Sequence, residues 1–371
     1  LEVSDARNIR GGVIYTYNGQ PKNIKPFDKV KALNKKSLAI IRDINFTPAP
    51  AMFSFSTDLN RTFGETKNRN TTGDNDVIIQ TYFNKNFVWN RNYDMRWDLT
   101  KNLKYEFSAD NDSRILEPEG RIDTKEERDT IWNNIGQFGE NMNYRHNNSF
   151  NFNIPINKLP MLDWITASTR YTTTYSWMRA PLIADSVGNT ISNTSQWQWT
   201  AQGNLTTLYN KIPYFNKVNQ KGSQANKPKA AGSKGGPTPP VPDKNKPTKE
   251  DSLKKKNENK YEAIDYLARI IMSLRTVNMS YSTNSGMALP GYNRDTRILG
   301  MDNNFDGPSW GFLFGKQDNF GADGVDYPIY AAQQGYLEQT STLYTPFTRT
   351  FTQNLTARAT LEPMPDFRIE L

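Results

Sequence analysis

The stretch that most limits how this chain folds is residues 87–109, where apolar and polar side chains alternate. Phe87, Trp89, Arg91, Tyr93, Met95, Trp97 and Leu99 share one parity, and Val88, Asn90, Asn92, Asp94, Arg96 and Asp98 share the other. After Thr100, Lys101 and Asn102 the alternation resumes, with Leu103, Tyr105, Phe107 and Ala109 set against Lys104, Glu106, Ser108 and Asp110. Successive side chains of a strand point to opposite faces, so this is a hairpin with one aromatic and one polar face. Trp89 and Trp97 lie eight residues apart. In a strand rising about 3.3 Å per residue and tilted by about 40°, the two indoles stand roughly 20 Å apart along a barrel axis. That approaches the spacing of the aromatic girdles flanking the apolar band of an outer-membrane barrel, roughly 25 Å tall.

The pattern recurs along the chain. Phe53, Phe55 and Leu59 alternate with Ser54, Ser56, Asp58 and Asn60, and Phe150, Phe152, Ile154 and Ile156 alternate mostly with asparagines. Tyr171, Tyr175 and Trp177 share a face, opposite Thr166, Arg170 and Thr174. Trp197 and Trp199 oppose Gln198 and Gln202, and Phe351 and Leu355 oppose Thr356. We expect an all-β transmembrane barrel wall in which the polar set lines the lumen: Ser54, Ser56, Asp58, Asn60, Asn92, Asp94, Arg96, Thr166, Arg170, Thr174, Gln198, Gln202 and Thr356. The apolar set is expected to face lipid or a partner: Phe53, Phe55, Trp89, Arg91, Tyr93, Trp97, Tyr105, Phe107, Tyr171, Tyr175, Trp177, Trp197, Trp199, Phe351 and Leu355. Arg91 breaks the apolar row. It either stacks between Trp89 and Tyr93 or marks a face that meets another protein rather than lipid.

Composition agrees with such a wall. A mean hydropathy of -0.76 and 36% hydrophobic residues are far too low for a helical membrane protein, whereas a barrel needs apolar residues only at alternate positions. The 12% aromatic content fits girdles. Between residues 216 and 260 there are 12 Lys, no Arg and 4 acidic residues, which is the whole formal charge of +8. Basicity confined to one low-complexity segment argues against a nucleic-acid groove across the fold. The chain has no Cys, and its one histidine, His146, is expected in a surface or hydrogen-bonding role. Glu117 and Glu119 are expected to be solvated or salt-bridged rather than an acid–base pair. With no Gly-rich phosphate loop, nucleophile elbow or metal-ligand spacing, we expect no enzyme activity and no cofactor.

In chain order, residues 1–50 read as the end of a preceding strand, with Val13, Tyr15 and Tyr17 at its tail, followed by a connection. Residues 27–44 read as a short helix or irregular. Residues 51–215 carry strands and loops, with Leu205 continuing the strand of Trp197 and a turn-rich loop at 64–85. Thr124 and Glu127 have capping-box spacing before Ile131, Trp132 and Ile135, predicting a helix ending at Gly136. Residues 216–260 read as a disordered basic linker. Residues 261–371 hold a helical or strand-entry segment, the strand of Val277, Met279 and Tyr281, a long loop at 284–345 and a final strand pair. Antiparallel strands alternate sides, placing the connections at 100–102, 157–163, 210–262 and 362–366 together. Three of those four are short, which makes that side periplasmic and the longer loops external.

Several long runs carry a family resemblance: RDINFTPAPAMFSFSTDLNR, FVWNRNYDMRWDLTKNLKYEFSAD, LDWITASTRYTTTYSW, NLTTLYNKIPYF and LPGYNRDTRILGMD. Together they resemble the C-terminal part of the SprA (Sov) family, the outer-membrane translocon of the type IX secretion system in Bacteroidetes. The resemblance covers most of the chain outside the basic linker. It implies a very large single-chain antiparallel barrel that exports folded proteins and supports gliding motility in some members. It also implies as partners a PorV-like outer-membrane barrel protein, a periplasmic plug protein and the secreted substrates. The residues alone equally admit a porin or nutrient-uptake barrel, or a soluble β-sandwich adhesin whose aromatic faces meet as a core.

Overall fold

The computed structural model describes residues 2–30, 38–68, 79–159, 161–181, 187–218, 263–340, 343, 345–364 and 367–371. The expected basic linker lies almost wholly outside the described residues. Ten strands form one sheet in unbroken sequence order: β1 (Glu2–Asn18), β2 (Met52–Asn68), β3 (Tyr82–Trp97), β4 (Leu103–Arg114), β5 (Glu140–Ile154), β6 (Ile165–Met178), β7 (Asn189–Asn204), β8 (Leu274–Tyr292), β9 (Thr348–Met364) and β10 (Phe367–Glu370). The protein is therefore mostly antiparallel sheet, in which each strand pairs with its sequence neighbours. Two compact units make up the chain. One comprises Leu1–Ile154, Ser168–Trp199 and Tyr281–Asn354; the other comprises Pro155–Ala167, Thr200–Ser280 and Leu355–Leu371.

Several boundaries differ from the sequence expectation. β1 is a full strand paired with β2 from Glu2↔Asn68 to Asn18↔Met52, not a tail. The turn-rich composition of 64–85 hides two strand ends, because Phe63 pairs with Lys85 and Glu65 with Phe83. β8 continues to Tyr292, well into the expected loop. Leu205 starts a helix, α3 (Leu205–Lys211), where Asn204 turns the chain by accepting a hydrogen bond from the Thr207 N–H at 3.3 Å. Of the ambiguous 27–44 segment, residues 39–42 form a single helical turn, α1 (Ala39–Arg42).

The helix expected from its capping box is present as α2 (Lys125–Gly136). The Thr124 hydroxyl accepts from the Glu127 N–H at 3.3 Å, and the Glu127 carboxylate accepts from the Thr124 N–H at 2.9 Å. No α2 side chain is buried, so the cap carries an unusual share of its stability. Thr124→Ala should cost α2 about 1 kcal/mol and raise amide exchange over 125–136, leaving β4 and β5 unchanged.

In the second unit, α4 (Ala263–Met272) buries Ala268 and Met272 against Tyr209 and Val218, with Leu205 and Phe215 beside them. The Tyr209 hydroxyl donates to the Ile271 carbonyl at 3.1 Å.

Candidate functional site

The strand register separates two surfaces. Thr16, Ser54, Asp94, Ser108 and Asn147 stand opposite one another across β1 to β5, forming a continuous polar row. Its members are laced together: Thr16 and Ser54 hydroxyls lie 3.2 Å apart, Asn147 donates to Ser108 at 3.4 Å, and the Thr174 hydroxyl donates to Asn147 at 2.6 Å. The neighbouring row runs Ile14, Ser56, Asn92, Asp110 and Arg145. Asp58 pairs with Arg10 at 3.9 Å, while Asn92, Asp94, Arg96, Thr166, Arg170, Gln202 and Thr356 are exposed. Asn60 and Gln198 are partly exposed.

The opposite surface carries the rows Val13, Thr57, Arg91, Asn111, Tyr144; Tyr15, Phe55, Tyr93, Ala109, His146; and Tyr17, Phe53, Met95, Phe107, Asn148. This is the aromatic face expected from the alternation, and it divides into a covered part and a bare part.

The cover is residues 293–337, which contain two short helices, α5 (Trp310–Leu313) and α6 (Tyr327–Gln333). Phe312, Leu313, Phe320, Tyr327 and Tyr336 from this segment join Tyr144, Tyr175, Trp177, Ile191, Met287 and Leu289 from the sheet in one buried core. Tyr175 and Trp177, expected to face lipid or a partner, therefore face the chain's own segment and are fully buried. An irregular segment laid on an apolar face carries backbone carbonyls that need donors. The sheet supplies them: Asn141 to Thr296 at 2.5 Å, Trp177 to Arg294 at 3.0 Å, Asn193 to Phe312 at 3.0 Å and to Lys316 at 3.1 Å, and Tyr171 to Phe314 at 2.6 Å.

His146 belongs to this set and is buried rather than at the surface. Its Nε2 lies 3.1 Å from the Leu313 carbonyl, which can only accept, and its Nδ1 lies 3.2 Å from the Tyr144 hydroxyl. A neutral ring with the proton on Nε2 satisfies both contacts. Two glycines of the cover lie close against the sheet. A Cβ on Gly300 would stand 2.8 Å from the Tyr175 ring, and one on Gly315 would stand 2.7 Å from the Ser195 Cβ, with φ of 85° and 83° respectively. Sequence reading missed Asn141 and Asn193 as docking residues, and for His146 it gave a hydrogen-bonding role without the partner. The available signal was polar side chains interrupting otherwise apolar rows.

Arg91 meets the stacking expectation at Trp89 but not at Tyr93. Its guanidinium lies 5.0 Å from the Trp89 ring and 5.6 Å from the Phe138 ring, so it stacks on Trp89 and on a loop residue rather than on Tyr93. Phe138 itself stacks on Trp89 at 5.8 Å. The protein that meets this face is the loop after α2, supplied by the same chain. The two acidic candidates sit in the strand-to-helix loop, where Glu117 forms an ion pair with Arg61.

The bare part lies at the end of an aromatic belt that runs across the strands toward the short turns, half-buried at Trp97, Tyr105, Phe150 and Tyr171 and exposed at Trp197 and Trp199. Trp97 pairs in register with Tyr105, Tyr105 stacks on Phe150 at 4.6 Å, Phe150 meets Tyr171 at 6.5 Å, and Tyr171 meets Trp197 at 4.3 Å. Trp197 stacks on Trp199 at 6.1 Å, and both indoles are exposed. Phe351 and Leu355 on β9 are exposed as well. Among the described residues no helix is long and apolar enough to cross a membrane, and no cluster of three His, Asp or Glu side chains could hold a metal ion. Searched against protein-family models and against curated proteins, the chain matches none.

Proposed function

We propose that this chain forms part of the wall of a protein-conducting outer-membrane barrel, the translocon of a Bacteroidetes type IX secretion system, which exports folded proteins. The observation that carries the reading is the belt of Trp97, Tyr105, Phe150, Tyr171 and Trp197, which crosses five consecutive strands at one level. Amphipathic rings in such a girdle belong where hydrocarbon gives way to water. The up-and-down strand order supports it, because closure into a larger barrel gives the free sides of β1 and β10 the partners that an open sheet leaves missing. In this arrangement the row from Thr16 to Asn147 lines a hydrated lumen, residues 293–337 shield part of the aromatic face, the uncovered part that includes Phe55 meets lipid, and the belt marks a membrane edge. Lipid, a PorV-like barrel and a periplasmic plug are the expected neighbours, the last on the short-turn side. The wall performs no bond chemistry.

Capturing the full-length protein from detergent-solubilised outer membrane tests this. Secreted proteins should co-purify, and depletion should leave them in the periplasm. Normal secretion on depletion would favour a porin. A soluble sheet is the second reading, since the core beneath 293–337 would serve it equally, and recovery of folded protein without detergent would decide for it.

Face assignment has its own test. Phe55 lies on the aromatic face, 5.0 Å from the Tyr93 ring, and Ser56 lies on the polar face, 3.3 Å from the Asn92 amide. Phe55→Arg should cost about 2 kcal/mol by placing a cation against lipid, while Ser56→Arg remains hydrated and is tolerated. Equal folded yields in detergent would overturn the orientation.

A further inference from the structure

A cavity of about 600 Å³ opens on the aromatic face beside the cover, walled by Phe53, Tyr93, Met95, Phe107, Ile298 and Leu299. Its volume is within the roughly 300–1,000 Å³ typical of small-ligand sites. Six amide or guanidinium side chains also line it, Arg91, Asn111, Gln137, Asn141, Arg297 and Asn303. Arg91 and Asn111 are direct partners across β3 and β4. They are only 6% and 5% exposed. Arg91 is cationic, yet among the described residues no carboxylate pairs with it: its partners are the Ser113 hydroxyl, the Asn141 side-chain oxygen at 3.0 Å and the Phe138 carbonyl at 3.4 Å. All three contact Nη2, and Nε has no partner. Asn111 Oδ1 is likewise without a donor. A buried cation lacking an anion, and an amide oxygen lacking a donor, are both costly. Here they stand side by side in the wall of one chamber.

The geometry points to a binding site for an amphipathic anion, an acyl chain whose phosphate or carboxylate head meets Arg91 while its tail lies among Phe53, Met95, Phe107 and Leu299. A hydroxyl on the head would donate to Asn111. The site stands on the cavity, on an Arg91 that has no carboxylate partner and on the unpartnered Asn111 oxygen, independently of what the chain transports. The stacked rings of Trp89 and Phe138 both contact the guanidinium, so the cation is positioned before the ligand arrives. The walls come from strands β2 to β5, from the loop after α2 and from residues 297–303 of the cover, so occupancy also bridges the cover to the sheet.

The test is a lipid titration of the full chain in detergent, read by native mass spectrometry. Oleate and palmitoyl-oleoyl phosphatidylglycerol are the anionic probes, with methyl oleate and dioleoylglycerol as their neutral counterparts. One saturable molecule of an anionic probe should bind about tenfold more tightly than its neutral counterpart, as expected for a charge-assisted contact. Preference for oleate assigns a carboxylate head, and preference for phosphatidylglycerol assigns a phosphate. Arg91→Gln should reduce the charge preference to twofold or less. Should that variant misfold, Ile298→Trp serves instead: it fills the chamber from an exposed loop position and should abolish saturable binding of every probe. Equal affinity for charged and neutral probes, undiminished binding by Ile298→Trp, or binding that never saturates would each overturn the site.

Discussion

Replacing Tyr327 with alanine should release the 293–337 cover while leaving the sheet folded. Tyr327 is fully buried, its ring stacks on Phe312 at 3.8 Å and meets Phe320 edge-on at 5.0 Å, and its hydroxyl donates to the Pro308 carbonyl at 2.7 Å. Burial pushes its phenol well above the usual tyrosine range, so the donor persists in mildly alkaline solution. Truncation removes the central ring of the cover's own core, at about 3–5 kcal/mol by analogy with other large-to-small changes. Tyr327→Phe keeps the ring and strands only the Pro308 carbonyl, at about 1–2 kcal/mol. Proteolysis of the full chain in detergent should cut 293–337 readily in Tyr327→Ala and slowly in Tyr327→Phe. Cleavage spread equally over β2 to β5 would show that the cover and sheet unfold as one.

The second large effect lies at Asp302. Its carboxylate accepts from Arg294 at 2.6 Å and from the backbone N–H groups of Asp306 at 2.9 Å and Asn304 at 3.1 Å. Arg294 in turn lies 4.6 Å from the Tyr336 ring, whose hydroxyl donates to the Asp306 carbonyl at 3.0 Å. Burial opposes ionisation of Asp302, but the Arg294 contact and the two N–H donors outweigh it and hold its carboxyl below the usual carboxylate range. The folded cover thus binds fewer protons than the released one. Its stabilisation from Asp302 is complete above about pH 4 and disappears as pH falls through the depressed value. Acid should open 293–337 before the sheet. Asp302→Ala should open it at neutral pH by about 3–4 kcal/mol and remove that acid step. A step of unchanged midpoint in the variant would exclude Asp302 as its origin.

How far the fold was legible in the sequence depended on what each pattern encodes. Alternation names the face of a side chain, so the rows of β2 to β7 were readable from Phe53, Trp97, Tyr105, Tyr171 and Trp197. The cap of α2 was readable because Thr124 and Glu127 act through three residues of local geometry. Strand ends were poorly readable where small or charged residues occupy them. Glu65 at the far end of β2 pairs with Arg121 at 2.6 Å, and Gly286 in β8 admits close approach of Thr350, so neither stretch looks apolar. Alternation also cannot say what covers a face. Tyr175 and Trp197 carry the same signal, yet one lies beneath the chain's own segment and the other is bare. The difference depends on Asn141, His146 and Asn193, whose partners lie more than a hundred residues away.

That separation has a consequence in time. His146 and the Leu313 carbonyl it meets are 167 residues apart. At a synthesis rate of roughly 5–20 residues per second, the aromatic surface of β5 exists for about 10–30 s before the segment that shields it has been made. Through that interval Tyr144, Tyr175 and Trp177 form a sticky, strand-rich surface of the kind that drives aggregation. Protection of these strands from one another, by a chaperone or by keeping the chain unfolded for export, is needed until residue 337 is available, and it becomes dispensable once the cover seats.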